Sequence, residues 1–247
     1  MYKRMNEQLQ KEGAMALVTG ASSGIGLAYA RELARRGYDL LLVSNEQERI
    51  GTVAEELVAA FGVKTIPLCM DLARSEAARE LYDYCEREKL QIGILVNNAG
   101  IFFFDDLTEV APERIETMLL LHIRTVTLLC RYFGAAMKRR RAGYILNMSS
   151  LSAWTPAPGI SVYAASKSYI RKFSQMLRYE LHQYGVGVTT VCPGAIATGL
   201  YNLSDYYQRL ALRLGVMMKP ERLARKGLRA MFARRDYILP GAVNRFF

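Results

Sequence analysis

Two stretches of the 247-residue chain pair residue types and spacings that suit chemistry. Thr19-Gly20-Ala21-Ser22-Ser23-Gly24-Ile25-Gly26 follows an apolar run, Ala14 to Thr19, and opens a helical pattern. Glycines let the chain turn sharply and let an anion approach the main chain. The N–H groups of a helix start, with the helix dipole behind them, then bind that anion. The spacing is GxxxGxG rather than GxGxxG, and a glycine turn on its own serves sterics. After a buried strand and before a helix it points to the pyrophosphate of a dinucleotide. The second stretch holds Tyr163 and Lys167, four residues apart in one helical pattern and so on one face. A free phenol titrates at about 10, too high for a base near neutral pH, and a neighbouring lysine cation favours the phenolate. Taken alone, the pair reads equally as an acid/base couple or as two helix neighbours.

Positioning these groups requires a scaffold, and the hydrophobic pattern supplies one. Short apolar runs at 14–19, 39–43, 63–68, 92–96, 144–148 and 186–191 read as buried strands. Between them, helical patterns run over 24–36, 46–61, 75–89 (Ser75 as candidate cap), 112–137 with Pro112 at its start, and 163–184. Strand and helix alternate, so the expected fold is α/β: a doubly wound parallel sheet of Rossmann type with helices on both faces. With no composition break and no internal repeat, residues 1–247 read as one domain, with 195–235 as a segment lying over a substrate.

At the glycine loop, and in four further places, the chain resembles the short-chain dehydrogenase/reductase family. Asn97-Asn98-Ala99-Gly100 follows the fourth strand, Ser150 precedes Tyr163 by 13 residues and Tyr163 precedes Lys167 by 4, Pro193-Gly194 and Thr198 follow the sixth strand, and Asp71 follows the third. The resemblance covers residues 14 to about 200. It implies an NAD(P)-dependent oxidoreductase moving hydride between a nicotinamide and a carbonyl or secondary alcohol. By the same resemblance Tyr163 is the acid/base, Lys167 also binds the nicotinamide ribose, and Ser150 hydrogen-bonds the substrate oxygen. The cofactor would lie against Gly20, Ser22, Ser23, Gly24, Ile25, Gly26, Ser44, Asn45, Asp71, Leu72, Asn98, Ala99, Gly100, Pro193, Gly194, Ile196 and Thr198. One position departs from the family: His122 stands in the long helix where an Asn usually bends the helix and anchors a relay water. A histidine can donate and accept, so it either orders that water or simply packs, and His122→Asn is expected to keep or raise turnover.

The end of the second strand bears on the cofactor. An acid at the position of Ser44 would select NAD in this family, and a base at Asn45 or Ser23 would mark NADP; all three are absent. Glu46 is placed beyond the strand tip, and Arg49, one turn into the next helix, is within reach of a phosphate. The balance favours NADP, with NAD as the alternative. Phe102, Phe103, Phe104, Trp154, Tyr201, Tyr206, Tyr207, Met217 and Met218 lie in the loops that would wall the substrate, which suits an apolar or elongated ketone, 3-oxoacyl or steroid-like.

Composition sets the outer limits. Hydrophobic residues make up 51% and charged residues 23%, which excludes disordered and low-complexity classes. Cys69, Cys85, Cys130 and Cys192 form no CxxC pair, and with two histidines besides no metal site is expected. Isolated thiols, a polar N-terminal stretch and no apolar run long enough for a bilayer suggest a cytoplasmic protein. The net charge of +10 is concentrated in 209–235, where nine basic residues face Glu221 alone, and in Lys138 to Arg141. That excess reads as solvated helix faces or as attraction to an anionic membrane surface; nucleic acid is not expected as a partner. Two readings compete with a soluble reductase: a dinucleotide-binding sensor without catalysis, and a membrane-surface lipid reductase. The family resemblance adds a homodimer or homotetramer built through 112–137 and 163–184.

Overall fold

In a computed structural model, which describes residues 9–10, 12–155, 157–197 and 217–241, seven strands form one parallel sheet in the order β3-β2-β1-β4-β5-β6-β7. The strands are β1 Met15–Thr19, β2 Leu40–Ser44, β3 Thr65–Cys69, β4 Ile92–Asn97, β5 Gly143–Met148, β6 Val186–Val191 and β7 Tyr237–Ile238. Every residue of β1, β2, β4, β5 and β6 is buried, as strands covered on both faces must be. The chain runs outward from β1 in one direction and from β4 in the other. Their shared border is therefore the switch point, and a crevice opens there beyond the strands' carboxyl ends.

The helices are α1 Gly24–Ala34, α2 Gln47–Phe61, α3 Ala77–Arg87, α4 Pro112–Leu119, α5 Val126–Arg140, α6 Ser161–His182 and α7 Pro220–Phe232. Helices α1, α2 and α7 cover one face, with Tyr29, Leu33, Ile50, Leu57, Leu223, Leu228 and Met231 buried against the sheet. On the other face α3, α5 and the end of α6 bury Leu81, Leu129, Phe133 and Leu181. The α/β doubly wound fold expected from the sequence is the one observed.

Several boundaries and one role differ from expectation. β3 starts at Thr65, because its ladder to β2 begins with Leu40 opposite Thr65; Val63 instead tucks into the core before the strand. β3 is also an edge strand and only partly buried, which is where Pro67 can sit without breaking a ladder on both sides. Ser75 does not cap α3, whose first turn follows Glu76. The long helix is interrupted: Leu120–Thr125 forms a π-helical turn between α4 and α5. The basic segment reads from the sequence as solvated helix faces or as a membrane-facing helix, and its exposed arginines fit the first of these. From Pro220 onward its apolar face is seated on the sheet and α1 while Arg222, Arg225 and Arg229 face solvent. β7, two residues long, was not anticipated. Among the described residues no helix is long and apolar enough to cross a membrane.

Candidate active site

A cleft of about 770 Å³ lies at the carboxyl ends of the strands and gathers most of the residues expected to act together. Its floor begins at the glycine loop. Gly20 has φ +65°, and a Cβ on Gly26 would stand 1.9 Å from the Gly20 carbonyl oxygen. No side chain fits there, so the sequence GxxxGxG is what lets the first turn of α1 close over the end of β1. The Asn98 side chain locks this turn by donating to the carbonyls of Thr19 (3.0 Å) and Gly20 (3.3 Å). The N–H groups of Asn98 and Ala99 both donate to Thr19 Oγ1 at 3.0 Å. Asn98 is thus a brace between two loops as well as part of the cleft wall. Ser22, Ser23, Gly24, Ile25, Ala99, Gly100, Pro193, Gly194 and Ile196 line the cleft beside it. Thr198 lies outside the described residues.

At the end formed by β2 and β3 the lining is polar: Ser44, Asn45, Glu46, Arg49, Asp71 and Leu72. Ser44 Oγ donates to Ser22 Oγ (2.9 Å) and accepts from the Glu46 N–H (3.2 Å), so its hydroxyl is spent on bracing the loop. Asp71 accepts from the Ala73 N–H at 2.9 Å, which fixes its carboxylate at the loop after β3. Arg49 Nε donates to the Ser22 carbonyl at 3.0 Å, and the guanidinium stands 3.9 Å from the Glu46 carboxylate. A cation is therefore held at this end by a main-chain oxygen, from the first turn of α2 rather than from the strand tip.

The other end is buried and built from side chains. Tyr163 and Lys167 lie on one face of α6, with Lys167 Nζ 5.4 Å from the centre of the Tyr163 ring. The Phe102 ring meets the Tyr163 ring edge-on at 5.0 Å, and the His122 ring does so at 5.9 Å, which holds the phenol in one orientation. Lys167 Nζ donates to the Met148 carbonyl at 3.2 Å, and burial lowers its pKa to about 8, so it is still mostly a cation at neutral pH. The Ser149 hydroxyl donates to the Lys167 carbonyl at 2.7 Å, a support that no spacing in the sequence announces. Ser150, at the end of β5, accepts from the Ser152 N–H at 3.2 Å. That contact uses its oxygen as acceptor and leaves its O–H to donate toward the cleft. Ser150, Tyr163 and Lys167 all line the same cavity.

Beneath this end, Asn97 Nδ2 donates to Asn147 Oδ1 at 2.8 Å and Asn147 Nδ2 to Ser174 Oγ at 2.9 Å. This buried chain fastens the ends of β4 and β5 to α6, so the loops carrying Asn98 and Ser150 leave a rigid base.

His122 is fully buried in the π-helical turn. Its Nε2 accepts from the Ile101 N–H at 3.1 Å, and its Nδ1 lies 2.9 Å from Ser166 Oγ. Burial, then the nearby Lys167 cation, push its pKa well below 6.5. Of the two options open at the sequence level, the packed one describes these contacts. The expected aromatic wall is also different. Phe103 is buried with Val110, Met118 and Tyr163; Phe104 is exposed over Gly159; and Trp154 faces Tyr237 with Arg171 4.2 Å above its ring. None of these three aromatics, nor Phe102, lines the cleft formed by the described residues; Met218 pairs with Ile196 and packs against the core, and Met217 is buried. Tyr201, Tyr206 and Tyr207 lie outside the described residues.

The geometry so far is a dinucleotide-sized crevice ending in a Ser, a Tyr and a Lys. Residues 14–205 match the short chain dehydrogenase family over most of the chain. The chain belongs to that family. It is 37% identical over 199 residues to the very-long-chain 3-oxoacyl-CoA reductase of Anas platyrhynchos, covering 78% of this chain and 62% of that protein. It is 32% identical over 206 residues to the inactive hydroxysteroid dehydrogenase-like protein 1 of Homo sapiens, covering 81% and 61%. The chain thus spans about three-fifths of the length of these curated relatives. Among solved structures it superimposes on a short-chain dehydrogenase from Sphingobium yanoikuyae in complex with NADPH, with a TM-score of 0.84 and 31% identity over 94% of this chain and 91% of that one.

Proposed function

We propose that this short-chain dehydrogenase is an NADPH-dependent carbonyl reductase for an apolar ketone of 3-oxoacyl or steroid-like type. One observation carries the reading: Ser150, Tyr163 and Lys167, from two different elements, converge on one cavity that begins at the glycine loop. The dinucleotide fits the residues present. The Gly20–Gly26 turn has no room for a Cβ, the start of α1 offers its N–H groups to a pyrophosphate, and Asp71 stands at the adenine end. The bound nicotinamide supplies the hydride.

The residues of this chain do the rest. The Ser150 hydroxyl donates to the carbonyl oxygen and fixes its position. The Tyr163 phenol donates the proton that oxygen needs as it gains negative charge. The Lys167 cation, held by the Met148 carbonyl, stabilises the phenolate left behind. Arg49 supports NADPH over NADH: its guanidinium is anchored at Ser22 where a ribose 2′-phosphate would arrive, and no carboxylate replaces Ser44 to repel that phosphate. The NADPH-bound relative and the name of the 3-oxoacyl-CoA reductase support the same cofactor and substrate class.

The retained Ser150, Tyr163 and Lys167 weigh against a sensor without catalysis. Cytoplasmic residence and self-association belong to the same proposal. Exposed Tyr169 and Met176 with partly buried Phe173 form one apolar face on α6 that supports self-association, and light scattering of the purified protein tests it. The test of function is a ketone screen with NADPH, using long 3-oxoacyl thioesters and keto-steroids. Consumption of NADPH that requires Tyr163 is the expected result; cofactor binding with no turnover on either class contradicts it.

A further inference from the structure

The protein has two histidines, and the buried one sits in the π-helical turn with both ring nitrogens engaged. The Ile101 N–H can only donate, so Nε2 must present its lone pair, and a neutral imidazole then carries its proton on Nδ1. That N–H points at Ser166 Oγ, 2.9 Å away. The Ser166 hydroxyl in turn donates to the Tyr163 carbonyl at 2.7 Å. The chain Ile101 N–H···Nε2, Nδ1–H···Oγ, O–H···O=C therefore runs without a break from the Gly100–Ile101 turn, which lines the cleft, to the backbone of the catalytic tyrosine.

We infer that His122 is a positioning residue, a neutral imidazole strut of fixed tautomer between that turn and α6, and not a carrier of protons or of a relay water. The role in catalysis rests on the reductase reading above; the strut itself does not. A neutral imidazole has one lone pair and one N–H, and both are taken by the protein. The neighbourhood is shaped to the ring as well. A Cβ on Gly100 would lie 2.9 Å from His122 Nε2, so glycine is needed there for the imidazole to reach Ile101. The titratable groups facing the ring are Tyr163 and Lys167, both on α6. With Tyr163 a neutral phenol, as it is before it gives up its proton, neither offers the ring an anion, and an imidazolium would also have to break the Ile101 bond.

The two nitrogens can be removed separately. Glutamine places an oxygen at the distance of Nε2 and can accept from Ile101. Asparagine places its amide at the distance of Nδ1 and can donate to Ser166. This geometry reverses the expectation that asparagine would match or improve on histidine, because asparagine reaches one partner only. With phenanthrenequinone as a substrate probe and NADPH as donor, His122→Ala should lose about a hundredfold in turnover, about tenfold for each bond. His122→Gln and His122→Asn should each recover about tenfold of that, with NADPH affinity within about threefold of wild type throughout and an unchanged pH profile in His122→Gln. If both variants are as impaired as His122→Ala and the pH profile flattens, the imidazole moves protons and the strut is wrong. Full activity in His122→Asn overturns it too, since the Ile101 bond would then be dispensable.

A measurement free of turnover accompanies these. Long-range proton–nitrogen spectra of the labelled wild-type protein, with His182→Gln for assignment, should show the Nδ1–H tautomer at His122 and no titration through about 6.5. An Nε2–H tautomer, or titration in that range, overturns the strut even if His122→Ala fails to fold. A wild type that binds NADPH but reduces no ketone would overturn the reductase reading, and the tautomer would still decide the strut.

Discussion

The two ends of the cleft are built by different means. The end formed by β2 and β3 is open and polar, its shape set by main chain: glycines without room for a Cβ, amides bonded across loops, and an arginine anchored on a carbonyl. The end formed by β5 and α6 is buried, its shape set by side chains: a tyrosine clamped between two rings, a desolvated lysine, and a histidine with both nitrogens used. Backbone recognition suits a ligand common to many enzymes, since it tolerates change in the side chains around it. Buried side chains suit chemistry, because a proton donor and a cation act more strongly where water is excluded. The two ends should therefore fail separately when they are altered one at a time.

The largest effect belongs to the buried end. Tyr163→Phe removes the proton donor and keeps the ring contacts, so turnover with NADPH and a ketone should fall by about a thousandfold, read by steady-state kinetics. Next comes the open end. Gly26→Ala drives a methyl group into the Gly20 carbonyl, and NADPH affinity, followed by nicotinamide fluorescence, should weaken by about a hundredfold or more. Lys167 gives a smaller, pH-dependent effect: kcat/KM for reduction should decline as pH rises through about 8, where the cation beside Tyr163 is lost.

The smallest effect is on stability, and its sign is opposite to that on activity. Burial lowers the Lys167 pKa from 10.5 to about 8, so the folded protein bears a cost of roughly 3 kcal/mol whenever this lysine is charged. The cost is full below pH 8. It fades between 8 and 10.5, where the folded chain has released a proton that the unfolded chain still holds. Lys167→Met should therefore raise Tm by several degrees at neutral pH while activity is lost, and the gain should vanish above about pH 10. A catalytic group that destabilises its own fold is what a functional buried cation looks like.

Much of this was readable in the residues. Alternating apolar runs and helical patterns gave the doubly wound fold because strands covered on both faces and amphipathic helices leave strong signatures. The glycine loop and the Tyr163–Lys167 pair stood out by type and spacing, and the resemblance to the short-chain dehydrogenase family singled out Ser150 and gave the pair its role. Other features depend on contacts distant in sequence. Nothing local marks Leu120–Thr125 as π-helical; the turn forms around His122, whose partners Ile101 and Ser166 are 21 and 44 residues away. The apolar face of α7 has the same periodicity whether it meets a sheet or a membrane, and only tertiary packing decides. β7 is too short for any periodicity, and Phe102 and Phe103 turned inward to pack with Tyr163 rather than outward to wall a substrate.

The most direct test of the separation is a titration of NADPH and NADH against three proteins: wild type, Arg49→Ala and Tyr163→Phe. The account predicts that wild type binds NADPH at least about tenfold more tightly, that Arg49→Ala loses this preference through weaker NADPH binding alone, and that Tyr163→Phe retains it in full. Tighter binding of NADH, or a preference that survives without Arg49 and disappears without Tyr163, would contradict the division of the cleft into a recognising end and a reacting end.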